Sequence, residues 1–376
     1  MTRALILHAS VGAGHRRAAE ALAQAFAQRT PGQIHVADVL DYANPLFRRA
    51  YVQSYVQLTD KLPAMWGYVY AHTDRDLFRF TTGLRTYIDR VWVRGLRKLL
   101  LKYDPHVIVC THFLPVEILS QHKGRARVTQ PLYCVLTDYA AHAFWSYKHV
   151  DRYFVATEDT RQQLIERGIP PSIIQVTGIP IHPGLTQKAS RDALRRQWLV
   201  RPERPLIVLF GGGLDAGRVR TVIKGLIDSS ITGTLVVVAG RNQALLSEIN
   251  DLTGRPGLEV QKFGLIDRVD DLVTASDLVI TKAGGLIVSE VLARGRPMLI
   301  IDPIPGQEES NTDFLVSVGA AITIRLPQHV PFAVQQLLDE PQRLHTMSEA
   351  ARAVGRPRAA LQIVEQILSD VGERPL

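Results

Sequence analysis

Three short stretches gather residues able to bind or move a charged group. The first, SVGAGHRRAAEAL (Ser10–Leu22), follows the apolar run ALILHA and puts Gly12, Gly14 and His15 at the mouth of a helix-forming segment. A strand, a glycine turn and a helix aim main-chain N–H groups at an anion. A histidine there titrates near neutrality, as a general base requires, although a histidine at a helix entrance can also serve packing alone. The second stretch, TKAGGLIVSE (Thr281–Glu290), is another strand-to-helix turn. Gly284 and Gly285 would admit a phosphate to the helix start, and Glu290, about one and a half turns on, could reach ribose hydroxyls. The same glycine pair can make an ordinary tight turn. The third, DPIPGQEESN (Asp302–Asn311), combines a proline-constrained loop with Gly306, Gln307, Glu308, Glu309 and Asn311. Clustered amides and carboxylates suit sugar hydroxyls; acidic residues are equally at home at a helix N-terminus.

These stretches need a scaffold that presents strand ends. Short apolar runs recur in two blocks. The first holds ALILHA, HVIVCT, PLYCVLT, RYFVA and IIQVTG, and the second PLIVLFGGG, TLVVVAG, LEVQKFG, DLVITKAGG and MLIIDP. Helical stretches of about 10–15 residues separate the runs, which predicts doubly wound parallel sheets. The runs are continuous rather than alternating, as strands covered on both faces are. At 376 residues the chain is long enough for two domains. We place the N-terminal domain at 1–180, the second at 181–345, and a helical tail at 346–376 that packs back on the first. GIPIHPGLTQKASRDALRRQWLVRPERP (Gly178–Pro205) reads as the linker plus a short helix. One region, about 44–102, breaks the rhythm with helix-like segments crowded with aromatic and basic residues. It reads as an inserted helical subdomain that buries its aromatics, presents an interfacial surface to anionic lipid, or does both on different faces.

Several function classes drop out. No apolar run is long enough to span a bilayer, and the N-terminus heads into a strand without the small-residue cleavage site of a signal peptide. Cys110 and Cys134, the only cysteines, sit in strand-like runs and read as buried thiols of a reducing compartment. A P-loop signature is absent. Arg17 replaces the third glycine of a dinucleotide fingerprint in the opening loop, and Arg241 stands where the second loop (Gly211–Gly217) would need an acid for ribose. The net charge of +8 suits an anionic partner but does not choose among membrane, nucleic acid and substrate.

Taken in order, GAGHRRAAEAL, THFLP, TDYAAHAFW, TGIPIHP, FGGG, TKAGGLIVSE and PGQEESN resemble one family along nearly the whole chain. It is the group of UDP-sugar glycosyltransferases that contains monogalactosyldiacylglycerol synthases and processive diacylglycerol glucosyltransferases. The resemblance implies an α/β GT-B fold: two facing Rossmann-like domains, with the donor on the C-terminal one and the acceptor on the N-terminal one. It implies that the backbone at Leu265 and Ile266 meets uracil and that Glu290 binds ribose. Gly211, Gly212, Gly213, Gly284 and Gly285, with Lys282, would hold the diphosphate. Gly306, Gln307, Glu308, Glu309 and Asn311 would read the hexose, and Gly14 would close over the donor phosphates.

The reaction implied is an inverting transfer of galactose or glucose to the free hydroxyl of 1,2-diacylglycerol, with no metal or other cofactor. His15 or Asp138 would be the base, and Gly12, His142 and Trp145 would line the acceptor site. Plant galactolipid synthases carry an aspartate in the opening loop near the position of Ser10, and many relatives have arginine where His182 stands, so roles tied to those residues do not carry over. The expected partners are a UDP-hexose, diacylglycerol and an anionic membrane surface, not nucleic acid. The expected location is cytoplasmic, peripheral to the inner face of the cell membrane. Competing readings are a polyprenyl-linked acceptor in cell-wall synthesis, a UDP-N-acetylglucosamine 2-epimerase, and a non-catalytic sensor of UDP-sugars.

Overall fold

The computed structural model describes residues 2–10, 12–46, 48–49, 95–186 and 190–372. The described chain divides into two compact units. One comprises Met1–Gly184, Ile304–Ser310 and Arg356–Leu376; the other comprises Leu185–Pro303 and Asn311–Gly355.

The first unit is built on a parallel six-stranded sheet of β1 (Arg3–His8), β2 (Gln33–Asp38), β3 (Val107–Cys110), β4 (Leu132–Val135), β5 (Arg152–Val155) and β6 (Ile174–Val176), in the order β2-β1-β3-β4-β5-β6. Successive strand side chains point to opposite faces. Leu5, Leu7, Ile108, Cys110, Leu132 and Cys134 therefore enter one core, which also takes Leu114, Leu119 and Trp145. Ala4, Ile6, Val107, Val109, Tyr133 and Phe154 enter the other. That second core is closed by the helix Gly14–Arg29, through Leu22, Ala25 and Phe26, and by the helix Ala359–Asp370, through Ile363, Val364, Ile367 and Leu368. Ion pairs Arg152–Asp370 (2.7 Å) and Arg29–Glu365 (2.9 Å) tie the C-terminal helix down. Cys110 and Cys134 are register partners, free and buried, and burial pushes both thiols up in pKa.

The second unit repeats the plan. Its parallel sheet contains β7 (Leu206–Phe210), β8 (Gly233–Val238), β9 (Leu258–Phe263), β10 (Leu278–Thr281), β11 (Met298–Ile301) and β12 (Ala321–Ile324), ordered β12-β11-β10-β7-β8-β9. The linker stretch carries the short helix Arg191–Gln197, capped by Ser190.

Strands β2 and β12 are absent from the ten apolar runs above. Both lie at sheet edges and are only partly buried, so their polar residues hide the pattern. Of the region 44–102, residues 95–103 are helical, while 51–94, with most of the aromatic and basic surface assigned there, lie outside the described residues. Among the described residues no helix is long and apolar enough to cross a membrane.

Candidate active site

In an open parallel sheet, ligands bind beyond the C-terminal strand ends, where the strand order reverses. In the first unit that point lies between β1 and β3. The loop after β1 turns at Gly12, whose φ of +92° suits glycine, and enters the helix at Gly14. No side chain caps this helix and its first turn holds no acid, so its N-terminal dipole is unopposed by local carboxylates.

His15, in the first turn, is held from the ends of β3 and β4. Its Nδ1 lies 2.8 Å from the Thr111 carbonyl oxygen and 3.0 Å from Thr137 Oγ1. Thr111 Oγ1 in turn donates to the His15 carbonyl at 2.8 Å. A carbonyl only accepts, so Nδ1 carries the hydrogen and Nε2 the lone pair. The ring keeps some accessible surface, yet the protein packed around it disfavours the charged form. Desolvation, with a smaller push from His8, lowers its pKa to about 4 against the backbone hydrogen bond that raises it.

An aromatic series continues from His15. His112 meets it edge-on at 4.5 Å, Phe113 stacks on His112 at 4.3 Å, and Phe144 stacks on Phe113 at 5.2 Å. His112 caps its helix by accepting from Leu114 N (3.0 Å), and His142 accepts from Phe144 N (3.2 Å). Trp145 is buried in the core against Phe113. Asp138, the residue after Thr137, is also buried, and accepts a 2.6 Å hydrogen bond from Gln307 Nε2. The segment Ile304–Ser310 thus reaches the strand end that also supplies Thr137. Within it, Glu308 Oε2 accepts from Ile304 N (2.9 Å) and Glu309 Oε2 from Gly306 N (3.1 Å). These carboxylates brace their own loop, Glu309 in the manner of a capping box.

In the second unit the strand order reverses between β7 and β10. Gly211, Gly212 and Gly213 follow β7; Lys282, Gly284 and Gly285 follow β10. A Cβ on Gly213 would come within 2.7 Å of Lys282 Cε, so glycine there lets the lysine lie across the turn. Gly284 caps the helix Gly285–Ala293 without a side chain, and the first turn again lacks acids. Lys282 and the main-chain N–H groups of a helix start thus lie at one strand end, an arrangement able to hold an anion. Glu290 is buried on that helix. Leu265 is exposed in the turn after β9 and Ile266 packs partly against the core. Asn311 has no exposed surface, and its Nδ2 donates to the Ala283 carbonyl at 2.9 Å. In this arrangement it steadies the turn that presents Gly284 and Gly285.

Thr111, Thr137 and His112 also join the cluster at His15, although their residue types alone did not mark them. Their signal was positional: each lies one or two residues past the C-terminal end of a strand.

Comparison with known proteins bears on the fold and the family. Among solved structures, MurG of Acinetobacter baumannii superposes with a TM-score of 0.65 at 16% identity, covering 98% of this chain and 100% of that one. The UDP-GlcNAc 2-epimerase of Neisseria meningitidis gives 0.62 at 14%, covering 97% and 99%. The fold is GT-B, and the scaffold alone does not separate transferase from epimerase. Sequence does. Residues 15–181 match the monogalactosyldiacylglycerol (MGDG) synthase family and 206–363 the glycosyltransferase family 28 C-terminal domain. A processive diacylglycerol beta-glucosyltransferase of Bacillus cereus (strain AH187) is 30% identical over 381 residues, covering 98% of this chain and 94% of the relative. The chain belongs to this family of glycosyltransferases, the monogalactosyldiacylglycerol synthases and processive diacylglycerol glucosyltransferases.

The lowered pKa of His15 has a measurable consequence. An unfolded imidazole, near 6.5, takes up its proton before the folded one, near 4. Stability therefore falls as pH drops from 6.5 toward 4, and this contribution is fully present above 6.5. Burial lowers His8 and His112 too, which acts in the same direction. If His15 is the essential base, the acid limb of kcat/KM will be centred near pH 4, not 6.5. A pH–rate profile at constant ionic strength reads it directly.

Proposed function

We propose that the protein transfers a hexose from a UDP-sugar to the free hydroxyl of 1,2-diacylglycerol, with inversion, while bound peripherally to the cytoplasmic face of a membrane. The observation that carries this reading is the His15 ring, whose Nδ1–H is committed to Thr111 and Thr137, leaving Nε2 as the basic atom. Nε2 takes the hydroxyl proton as the acceptor oxygen bonds to the anomeric carbon. The bond from that carbon to the β-phosphate oxygen breaks, and its electron pair leaves with UDP. Lys282 and the amides at Gly284–Gly285 offset the charge that builds on the diphosphate, and no step calls on a cofactor. Glu290 serves the ribose and the turn at Leu265–Ile266 the uracil. Gln307, Glu308 and Glu309 serve the hexose, with Asn311 supporting the phosphate turn. The relatives' names support diacylglycerol as acceptor. The helix at 95–103, with Leu101 72% exposed beside Lys98 and Lys102, supports contact with an anionic surface.

The two family names differ in their sugar, so the test separates donors. Purified protein is incubated with diacylglycerol liposomes and either UDP-glucose or UDP-galactose, and the lipids are analysed. A monoglycosyldiacylglycerol from one donor is the expected product. No glycolipid from either donor, with transfer to a polyprenyl-linked acceptor or an epimerised nucleotide in its place, would overturn the proposal.

A further inference from the structure

We infer that Thr137 is a positioning residue, which together with the main-chain carbonyl of Thr111 keeps His15 in the Nδ1–H form and in one orientation. The inference rests on the proposed role of His15 as base, but its geometric content is independent of turnover.

Two oxygens converge on a single ring nitrogen: Thr111 O at 2.8 Å and Thr137 Oγ1 at 3.0 Å. Nδ1 can present either a hydrogen or a lone pair. A lone pair would face the lone pairs of the Thr111 carbonyl, so Nδ1 is protonated and Thr137 Oγ1 shares that hydrogen as an acceptor. Thr137 cannot then be donating to the ring. The two acceptors follow neighbouring strands, Thr111 directly after β3 and Thr137 two residues after β4. Thr111 is fully buried and Thr137 nearly so, which fixes their positions. Thr111 also grips the His15 carbonyl through Oγ1, so ring and backbone are held from one point.

The orienting groups are therefore neutral. Asp138, next to Thr137 in sequence, accepts from Gln307 instead, and the hydrogen bonds of His15 go to the two threonines. A neutral pair fixes the tautomer without the charge a carboxylate would bring. When Nε2 takes up a proton, the positive charge shared with Nδ1–H meets two oxygens already in place. The Thr111 carbonyl cannot be removed by substitution; the Thr137 hydroxyl can.

Two measurements test this. In protein labelled with 15N-histidine and assigned by His15→Gln, the ring-nitrogen spectrum at pH 7 should show hydrogen on Nδ1 of His15. Hydrogen on Nε2 would overturn the inference, whether or not the protein proves to be a transferase. In kinetics, Thr137→Val, which keeps shape and loses the hydroxyl, should lower kcat about 10- to 100-fold. The donor KM should stay within about twofold, because the hydroxyl acts on the base and not on donor binding. Thr137→Ser should recover most of kcat. An unchanged kcat in Thr137→Val, or a Thr137→Ser as impaired as Thr137→Val, would assign the hydroxyl to packing. Full activity in His15→Ala would remove the proposed base while leaving the spectrum to judge the tautomer.

Discussion

His15→Ala is expected to lower kcat by about 10²- to 10⁴-fold, the range that a positioned general base contributes, while UDP affinity changes by less than about threefold. The asymmetry follows from placement. His15 lies in the unit whose sheet runs β2-β1-β3-β4-β5-β6, whereas the glycine turns and Lys282 proposed for the diphosphate belong to the other sheet. Removing the ring also removes its edge contact with His112 and its bonds to Thr111 and Thr137, so His15→Gln belongs beside it as a polar control. Single-turnover kinetics and UDP titration by calorimetry separate the two quantities. A parallel loss in both would mean that His15 holds the donor, and the base would have to be sought at Asp138.

The second large effect concerns folding. Deleting residues 356–376 is expected to abolish the cooperative unfolding of the first unit. The helix Ala359–Asp370 buries Leu361, Ile363, Val364, Ile367 and Leu368 against the sheet face formed by Ile6, Val109 and Tyr133. At about 2 kcal/mol for each side chain, these alone contribute on the order of 10 kcal/mol, comparable to the net stability of a typical domain. A milder version is Ile367→Asp, which puts an unpaired carboxylate into that core and should cost about 5 kcal/mol. Ile367→Val should cost about 1 kcal/mol. Differential scanning calorimetry of the three variants checks the ranking. A truncated chain that still melted in the wild-type manner would show the helix to be a mere adjunct.

Much of this fold could be read from the chain. Runs such as HVIVCT and DLVITKAGG are apolar on both sides because helices cover both faces, so the pattern is strong wherever a strand is central. It fails at β2 and β12, where one side faces solvent or an unpaired edge and residues such as Gln33, His35 and Thr323 interrupt it. At the candidate site, residue types and turn signals marked His15, Gly284 and Gln307. What they could not convey was partnership across long separations. Gln307 and Asp138 lie far apart in sequence yet share a 2.6 Å hydrogen bond. Glu308 and Glu309, chosen for sugar hydroxyls by their chemistry, spend an oxygen each on their own loop. Asn311 has the right chemistry for a hydroxyl and no exposed surface to offer one. Such facts depend on how the backbone folds around a side chain, which composition does not encode.

The division of the first unit between distant stretches of chain bears on how the protein is made. Its sheet strands emerge from the ribosome early, but the helix Ala359–Asp370 that covers Ile6, Val109 and Phe154 is translated only after all of β7–β12. During synthesis only the helix Gly14–Arg29 covers this flank of the nascent sheet while its sibling matures. Ribosome-bound chains stalled before residue 356 should therefore bind more of a holdase chaperone than chains that already expose the helix Ala359–Asp370.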